Sequence, residues 1–425
     1  MRPRLSSRRQ FVIGTVLGLF GVGCTSAGVA APSESPPLAA VAPASTQAAE
    51  PTAPPTPASA PPTAPPAASS VESPIADALQ VSRSGWKTDF SKHTVPLSEI
   101  QSGGPPRDGI PPIDQPAFVE PITAATWLAD NEPVVVYEEN GDARAYPLQI
   151  LIWHEIVNDT VGGRPVTVTF CPLCNTAIAF DRRLDGVTYD FGTTGNLRRS
   201  DLVMWDRQTE SWWQQITGEA IVGEMAGARL TPVPAAIQGF AAFRAAFPSG
   251  RVLSRETGFR RDYGRNPYVG YDDISNSPFL YSGPSDGRLP PMARVVTVAL
   301  NGEAAAYPFN HLEQLGVVQD TVGGTLIVIL FQKGTASALD AGRIAGSRDI
   351  GAAGVFAPTL EGRLLTFRDE GGRLLDNETG SEWDALGRAI AGPLAGQRLR
   401  AIVHANHFWF AMAAFYPEVR VWQPE

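Results

Sequence analysis

Two cysteines separated by two residues carry the clearest chemical signal in the sequence. Cys171 and Cys174 enclose a Pro-Leu pair, and residues 166–180 around them are rich in Thr, Val, Ile and Phe, which favour extended backbone. The pattern predicts a strand, a tight turn and a second strand, the shape of a rubredoxin or zinc-ribbon knuckle in which backbone N–H groups stabilise two thiolates. Asn175 follows the second cysteine, where such a turn often needs a left-handed residue. We therefore predict a metal-binding or redox-active thiol pair.

The residues after this knuckle argue against a thioredoxin-type site, which would open a long helix there. Residues 176–183 form a short run that alternates like a strand and leads to Asp185-Gly186, a dipeptide typical of a two-residue hairpin turn. The chain has three cysteines, and the third, Cys24, lies in a segment that we interpret below as an export signal. A framework of several disulfides is therefore excluded.

Further ligands must come from elsewhere, because a closed zinc site needs four and the knuckle supplies two. The chain has five histidines: His93, His154, His311, His404 and His407. The one nearest the knuckle lies beside Glu155 in the apolar run 148–157, which predicts a short helix on which both side chains share one side. We predict His154 as a third metal ligand, and the His–Glu pair as candidate catalytic residues, a general base with its carboxylate. The alternative is a histidine packed in the core.

His404 and His407 are additional ligand candidates. They are three residues apart at the start of an apolar run that ends at Phe415, a spacing that can place two ligands on one face of a helix. A pair of helix-capping histidines is the alternative. Two thiolates with imidazole suit zinc or copper, with iron as a third option. The segment Phe191–Gly195 lacks the lysine and the spacing of a phosphate-binding loop, so we predict a turn there and no nucleotide cofactor.

Two pairs of segments repeat along the chain with the same offset of 161 residues. Residues 135–147 are similar to residues 296–308. The sequence Asp-Thr-Val-Gly-Gly at 159–163 recurs at 320–324. This similarity predicts two copies of one structural unit.

We place the first copy at residues 78–285 and the second at residues 286–425. The turn glycines and a Tyr-Pro pair occur in both copies, as packing and backbone geometry demand, whereas the candidate site residues occur only in the first. At the positions of the His–Glu pair and the two cysteines, the second copy has other residues: Leu315, Gly316, Gln332 and Thr335. The comparison predicts one site, in the first copy, and a degenerate second copy.

The first 30 residues are predicted to be an export signal. Arg8 and Arg9 precede an apolar run, residues 11–22, that is too short to span a bilayer, a pattern typical of twin-arginine export. Cys24 follows Gly-Val-Gly, which is similar to a lipoprotein cleavage site. Cleavage after Ala30 by the ordinary signal peptidase is the alternative.

Residues 31–77 consist mainly of Ala, Pro, Ser and Thr and cannot bury a core, so we predict a disordered tether. We expect the protein in the periplasm or at the cell surface, where a lipid anchor at Cys24 would be its contact with the membrane. The formal net charge of −9 argues against nucleic acid and anionic lipid as partners. The protein or small-molecule partner stays open.

The remaining residues predict an α+β fold, a tandem repeat of two similar units. Each unit is expected to hold mostly antiparallel strands in hairpins and sheets, because short alternating runs are separated by turn signals. Short helices are predicted at 148–157 and 239–247.

Several long motifs resemble a prokaryotic family known as domain of unknown function 3179 (DUF3179). The motifs that carry the resemblance occur in this order: Trp153–Gly163, Cys171–Ala177, Phe191–Leu197 and Asp206–Trp212. The similarity covers roughly Gly85–Glu425. It implies that Cys171, Cys174 and His154 are motif positions of the family, without assigning their roles.

Three functions fit these observations. The first is an exported metalloprotein that binds a transition metal through Cys171, Cys174 and His154. The second is a thiol–disulfide redox protein that uses the two cysteines, with the histidine assisting deprotonation. The third is a non-catalytic surface binding module in which the cysteine pair is structural.

Overall fold

The computed structural model describes residues 79–424. The predicted export signal at 1–30, with Cys24, and the predicted tether at 31–77 lie outside the described residues. Strands account for 40% of the structure and helices for 11%, so the expected antiparallel β structure with a few short helices is confirmed. All described residues belong to one compact unit, and the division of the chain near residue 285 stays a prediction.

The first sixteen strands lie between residues 100 and 253. They are β1 (Ile100–Ser102), β2 (Phe118–Val119), β3 (Pro133–Glu139), β4 (Asp142–Pro147), β5 (Ile156–Val161), β6 (Arg164–Cys171), β7 (Thr176–Asp181), β8 (Arg183–Leu184), β9 (Val187–Thr188), β10 (Phe191–Arg198), β11 (Asp201–Asp206), β12 (Trp212–Gln214), β13 (Glu219–Val222), β14 (Thr231–Val233), β15 (Ala236–Gly239) and β16 (Arg251–Leu253).

The other strands, and the α-helices, complete the described chain. The strands are β17 (Arg294–Leu300), β18 (Glu303–Pro308), β19 (Val317–Val322), β20 (Thr325–Gln332), β21 (Ala352–Ala357), β22 (Thr359–Leu360), β23 (Arg363–Leu364), β24 (Phe367–Asp369), β25 (Leu374–Asp376), β26 (Glu382–Trp383), β27 (Ala389–Ala391), β28 (Arg400–Ala401), β29 (Ala405–Phe408) and β30 (Arg420–Val421). The helices are α1 (Pro121–Ala124), α2 (Leu148–His154), α3 (Phe240–Ala246), α4 (Phe309–Leu315) and α5 (Trp409–Phe415).

Three sheets of four or five strands, and the two-stranded sheet β8-β9, are built from the strands before residue 254. The strand orders of the three larger sheets are β1-β10-β11-β12-β13, β14-β7-β6-β5 and β15-β3-β4-β16-β2. Neighbouring strands in them are antiparallel except β4 and β16, which are parallel. Most connections are therefore hairpins, as the closely spaced turn signals predict.

Three four-stranded sheets, and the two-stranded sheet β22-β23, are built from residue 294 onwards. The orders of the four-stranded sheets are β29-β17-β18-β30, β19-β20-β21-β28 and β24-β25-β26-β27, and β18 and β30 are again parallel. A helix follows directly on the second strand of the first hairpin in each set, α2 after β4 and α4 after β18. A hairpin that is followed by a helix and has a parallel neighbouring strand therefore occurs both before residue 254 and after residue 293.

The sequence that recurs in both halves has a structural role. The hydroxyl of Tyr146 donates to Asp159 at 2.6 Å, and that of Tyr307 donates to Asp320 at 2.7 Å. Each pair joins the end of a hairpin strand to the strand after the helix. The repeated Tyr-Pro and Asp-Thr-Val-Gly-Gly sequences therefore belong to the scaffold.

The first glycine of the Asp-Thr-Val-Gly-Gly sequence admits no side chain. Gly162 has φ +53, and a Cβ there would lie 2.1 Å from the carbonyl oxygen of Glu139. We expect Gly162→Ala to lower the free energy of unfolding by about 2–3 kcal/mol, because the backbone must shift. Gly163→Ala is the control, since this glycine also has positive φ (+87) but open space at the Cβ position. Urea denaturation should show a cost of only about 1 kcal/mol there; equal costs would contradict the steric argument.

The helix predicted at 148–157 is shorter in the structure. It ends at His154, Glu155 takes a left-handed conformation (φ 58), and Ile156–Val161 forms a strand. The β-branched residues of that segment favour extended backbone over a further helical turn. The prediction that His154 and Glu155 share one side of a helix is therefore wrong. The second predicted helix, at 239–247, is confirmed as Phe240–Ala246.

Two other local predictions differ from the structure. His404 precedes a strand and His407 lies within it, Ala405–Phe408, so they do not share a helical face; the helix begins at Trp409. The segment Phe191–Gly195, predicted as a turn, lies within strand β10, where the pairing with β11 contains a bulge.

Candidate metal centre

The cysteine knuckle has the predicted shape. Strand β6 ends at Cys171 and β7 begins at Thr176, and these two residues pair across the hairpin. Asn175 has φ 53, so its predicted left-handed conformation is confirmed. The exposed fractions of the two cysteines are 1% for Cys171 and 0% for Cys174, and both are free thiols.

A second hairpin brings a carboxylate to the two sulfurs. Strands β10 and β11 are joined by Arg199 and Ser200, which have φ 52 and 64, the geometry of a type I′ turn. Asp201 follows as the first residue of β11. Its carboxylate accepts a hydrogen bond from the thiol of Cys174 at 3.0 Å.

The three side chains form a group with the donors of a metal site. Among residues 79–424, the candidate cluster consists of Cys171, Cys174 and Asp201, and one ligand atom from each lies within 4.8 Å of the others. Two sulfurs and one carboxylate oxygen at this separation could supply three of the four ligands of a tetrahedral metal ion, and all three residues are buried.

Two other donors hold the Asp201 carboxylate in place. Its second oxygen accepts hydrogen bonds from Nε2 of Gln214 at 2.6 Å and from the backbone N–H of Ile216 at 3.0 Å. Burial raises the pKa of Asp201 to about 6, although these hydrogen bonds and that of the thiol oppose the shift. The carboxylate is therefore oriented toward Cys174 before any ligand arrives.

The thiol of Cys174 is held in its neutral form. Burial, the adjacent Cys171 and the charge of Asp201 raise the pKa of Cys174 well above its usual value. Three groups that each carry a negative charge when ionised are thus crowded in a space shielded from water. A divalent cation would favour loss of both thiol protons, because it supplies the opposite charge that the group lacks.

The charge of Asp201 also acts on the buried carboxyl group of Glu155. Burial and the charge of Asp201 raise the pKa of Glu155 to about 8. Burial and the charges of Glu155 and Cys171 raise the pKa of Tyr268 above its usual range. Several buried ionisable groups therefore share one region, as is common at functional sites.

The structure does not bring His154 together with the sulfurs. Its Nδ1 lies 2.8 Å from the carbonyl oxygen of Pro111, and its Nε2 lies 2.7 Å from the hydroxyl of Tyr263. Burial lowers the pKa of His154 to about 4, so the ring is neutral. Because a carbonyl only accepts, Nδ1 carries the proton and Nε2 accepts from the tyrosine. Both nitrogens are engaged, and the residue is not a member of the metal-ligand group.

The other two candidate histidines also lie outside the group. Nδ1 of His407 is 2.7 Å from the hydroxyl of Thr176, next to the knuckle, and burial lowers its pKa to about 3. His404 places Nδ1 2.8 Å from the carbonyl oxygen of Ile402. Its ring lines a cavity of about 280 Å³.

Strand β29 supports the knuckle through the backbone. The N–H of Phe408 donates to the carbonyl oxygen of Cys174 at 2.8 Å. The side chains of Phe408, Phe170 and Phe180 belong to the same buried cluster. Residues distant in sequence therefore fix the turn that carries the sulfurs.

A segment at 263–281 contacts both the knuckle and the second hairpin. The hydroxyl of Tyr271 donates to the carbonyl oxygen of Leu173 inside the knuckle at 2.9 Å. Ser200 donates its hydroxyl to the carbonyl oxygen of Phe279 at 2.5 Å, which ties the same segment to the second hairpin. We call residues 263–281 the covering segment.

Sequence reasoning missed Asp201, although a signal was present. The residue opens the run Asp-Leu-Val-Met-Trp, and a carboxylate at the start of an otherwise apolar strand is rarely buried without a partner. The corresponding hairpin of the second half is shorter. It closes after Asp369 pairs with Leu374, whereas the first extends past the bulge to the pair Arg198–Asp201.

None of the helices within residues 79–424 has the length and apolar character needed to cross a membrane.

No curated protein and no solved structure matches the chain. The family model described as "Protein of unknown function (DUF3179)" matches residues 107–419, a range that includes the knuckle and Asp201. The chain therefore belongs to the DUF3179 family.

Proposed function

We propose that the protein is a metalloprotein that binds one divalent transition-metal ion through Cys171, Cys174 and Asp201. The observation that carries the proposal is their approach within 4.8 Å in a buried space. Three protein ligands leave one coordination position for another molecule, the arrangement of catalytic rather than structural zinc sites. His154 is not included, because both of its nitrogens are occupied elsewhere.

Zinc fits the donor set best. Thiolates suit zinc and Cu(I), but the oxygen of Asp201 is a hard donor that Cu(I) disfavours. Zinc accepts sulfur and oxygen together and has no geometric preference of its own. Ferrous iron shares part of this chemistry and is the competitor to be measured.

The thiol–disulfide alternative has less support. A nucleophilic cysteine needs a lowered pKa and access to its partner, whereas burial raises the pKa of Cys174 and both sulfurs are buried. A neutral, enclosed thiol reacts slowly with a disulfide. A metal ion removes this difficulty, since it binds the thiolate form directly.

We infer in addition that the chain is a tandem duplication with the site in the first copy alone. The matching sheet orders and the matching Tyr–Asp hydrogen bonds support this inference. Export by the twin-arginine route and tethering through residues 31–77 are part of the proposal. The twin-arginine pattern supports them, because that route carries folded proteins that can load a metal before export.

The proposal is tested by elemental analysis of the full chain purified without chelators. We expect about one zinc per chain, and a zinc affinity about 10- to 100-fold lower in Asp201→Asn, which removes the charge of one ligand. Asp185→Asn is the control, because that carboxylate is exposed in a hairpin turn. A wild-type chain that takes up no zinc or iron under reducing conditions would overturn the proposal.

A further inference from the structure

The backbone at Glu155 is in a conformation that costs free energy. The residue follows helix α2 with φ 58 and ψ −30, a region that non-glycine residues rarely adopt. Its N–H closes the helix by donating to the carbonyl oxygen of Leu151 at 2.7 Å. Glycine is the usual residue at such a helix end.

The second half has glycine at the same point. Gly316 follows helix α4 with φ 66 and ψ −38, and its N–H donates to Leu312 at 2.8 Å. A Cβ at Gly316 would lie 2.7 Å from Cβ of Asp369, so that half has no room for a side chain. The first half provides the room, and it holds a glutamate there in spite of the strain.

The carboxyl group of Glu155 is also without a partner. The residue is 7% exposed, and within residues 79–424 no hydrogen bond or ion pair engages its side chain. A carboxyl group that is largely removed from water and has no protein partner is unfavourable. The backbone carbonyl oxygen of Glu155 accepts from the N–H of Phe170, the residue before Cys171, at 2.8 Å. Backbone strain and a carboxyl group without a protein partner therefore coincide next to the knuckle.

Glu155 could bind the metal directly or hydrogen-bond a water molecule on the metal, and the net charge of the centre favours the second role. A divalent ion with two thiolates and one carboxylate carries one net negative charge, and a second carboxylate ligand would bury another. Glu155 is moreover outside the group whose ligand atoms lie within 4.8 Å. A neutral water molecule as the fourth ligand avoids this charge, and its O–H and lone pair can bond to a carboxyl group in either protonation state.

We infer that Glu155 is a positioning residue that hydrogen-bonds the water in the fourth coordination position of the metal. This inference rests on the proposed metal centre. It explains why a strained residue with a largely buried carboxyl group stands where the second half has glycine.

The test compares Glu155→Gly and Glu155→Gln with the wild-type full chain. We expect the glycine variant to raise the melting temperature of the metal-free protein by about 1–3 °C, because it relieves the backbone strain at this position. Its zinc affinity, measured against a chelator, should fall about 10- to 100-fold. The glutamine variant keeps a hydrogen-bonding group and should stay within about tenfold of wild type.

Asp185→Gly is the matched control, because Asp185 also has positive φ (50) but lies in an exposed turn. It should leave zinc affinity unchanged. Equal zinc affinity in wild type and Glu155→Gly would overturn the inference and leave the centre intact, as would an equal loss in both Glu155 variants. If the wild-type chain binds neither zinc nor iron, the centre itself is wrong and the inference falls with it.

Discussion

Cys174→Ser is expected to lower zinc affinity about 1,000-fold. Zinc sites with thiolate ligands bind with roughly 10–16 kcal/mol, so one of three protein ligands accounts for about 4 kcal/mol. The thiol of Cys174 also donates a hydrogen bond to Asp201, so its replacement disturbs the position of a second ligand. A serine hydroxyl is similar in size but is not ionised near neutral pH and binds zinc weakly.

The measurement is a chelator competition at pH 5, 6, 7 and 8. Because burial raises the pKa of Cys174, a proton competes with the metal throughout this range. Wild-type affinity should rise by at least about tenfold per pH unit. Below pH 6 the dependence should become steeper, since the pKa of Asp201 is about 6 and its proton must then be displaced as well.

Cys24→Ser in the full chain is the matched control for this prediction, since it replaces the cysteine outside the knuckle by the same residue. Its affinity and stoichiometry should equal those of the wild type. A similar loss in both serine variants, or an affinity independent of pH, would show that the zinc is bound elsewhere.

Asp272→Ala is expected to lower the free energy of unfolding by about 3–5 kcal/mol. The Asp272 side chain is fully buried in the covering segment and pairs with Arg294, itself 9% exposed, and with Arg348 at 2.7 Å. Ser337 donates its hydroxyl to the same carboxylate at 2.5 Å. Removing it leaves the Arg294 guanidinium buried without its counter-charge, which costs far more than the net value of the pair.

The pH dependence of the same pair has a defined sign. Burial alone would raise the pKa of Asp272, but Arg294, Ser337 and Arg348 lower it below its usual value. A lowered pKa in the folded state contributes stability that is present above the unfolded pKa of about 3.9 and is lost as pH falls through the folded value. The difference between wild type and Asp272→Ala should therefore narrow below about pH 4.

Urea denaturation of the two proteins at pH 7 and pH 3.5 measures both effects. Asp273→Ala is the control, because the neighbouring carboxylate bonds only to Ser275 two residues away. Its unfolding midpoint should be nearly unchanged. An equal shift in the two alanine variants would contradict the buried-charge argument.

The sequence predicts those parts of the centre that depend on local structure. The knuckle and the left-handed Asn175 follow from residues within one hairpin, where turn chemistry and β propensity agree. The helix end after His154 could not be read in the same way, because apolar residues fit both a helix and a buried strand. Residues 156–161 are resolved as a strand by their pairing with β6.

Asp201 could not be placed from sequence for a different reason. It reaches the sulfurs through a hairpin whose register includes a bulge between Thr193 and Asn196. A shift of one residue would turn the carboxylate to the opposite face. Spacing along the chain carries no information about such a register, so the contact between residues 174 and 201 emerges only when the sheets are assembled.

The covering segment has a consequence for how fast an ion can leave. Its contacts with Leu173 and Ser200 fasten it to both hairpins that carry the site, so we expect that an ion bound at the buried sulfurs would exchange only when this part of the chain opens. The lifetime of the loaded state would then follow the frequency of local unfolding rather than the strength of the metal–sulfur bonds. Such a protein would keep its metal ion after long dilution, because release would be limited by a kinetic barrier.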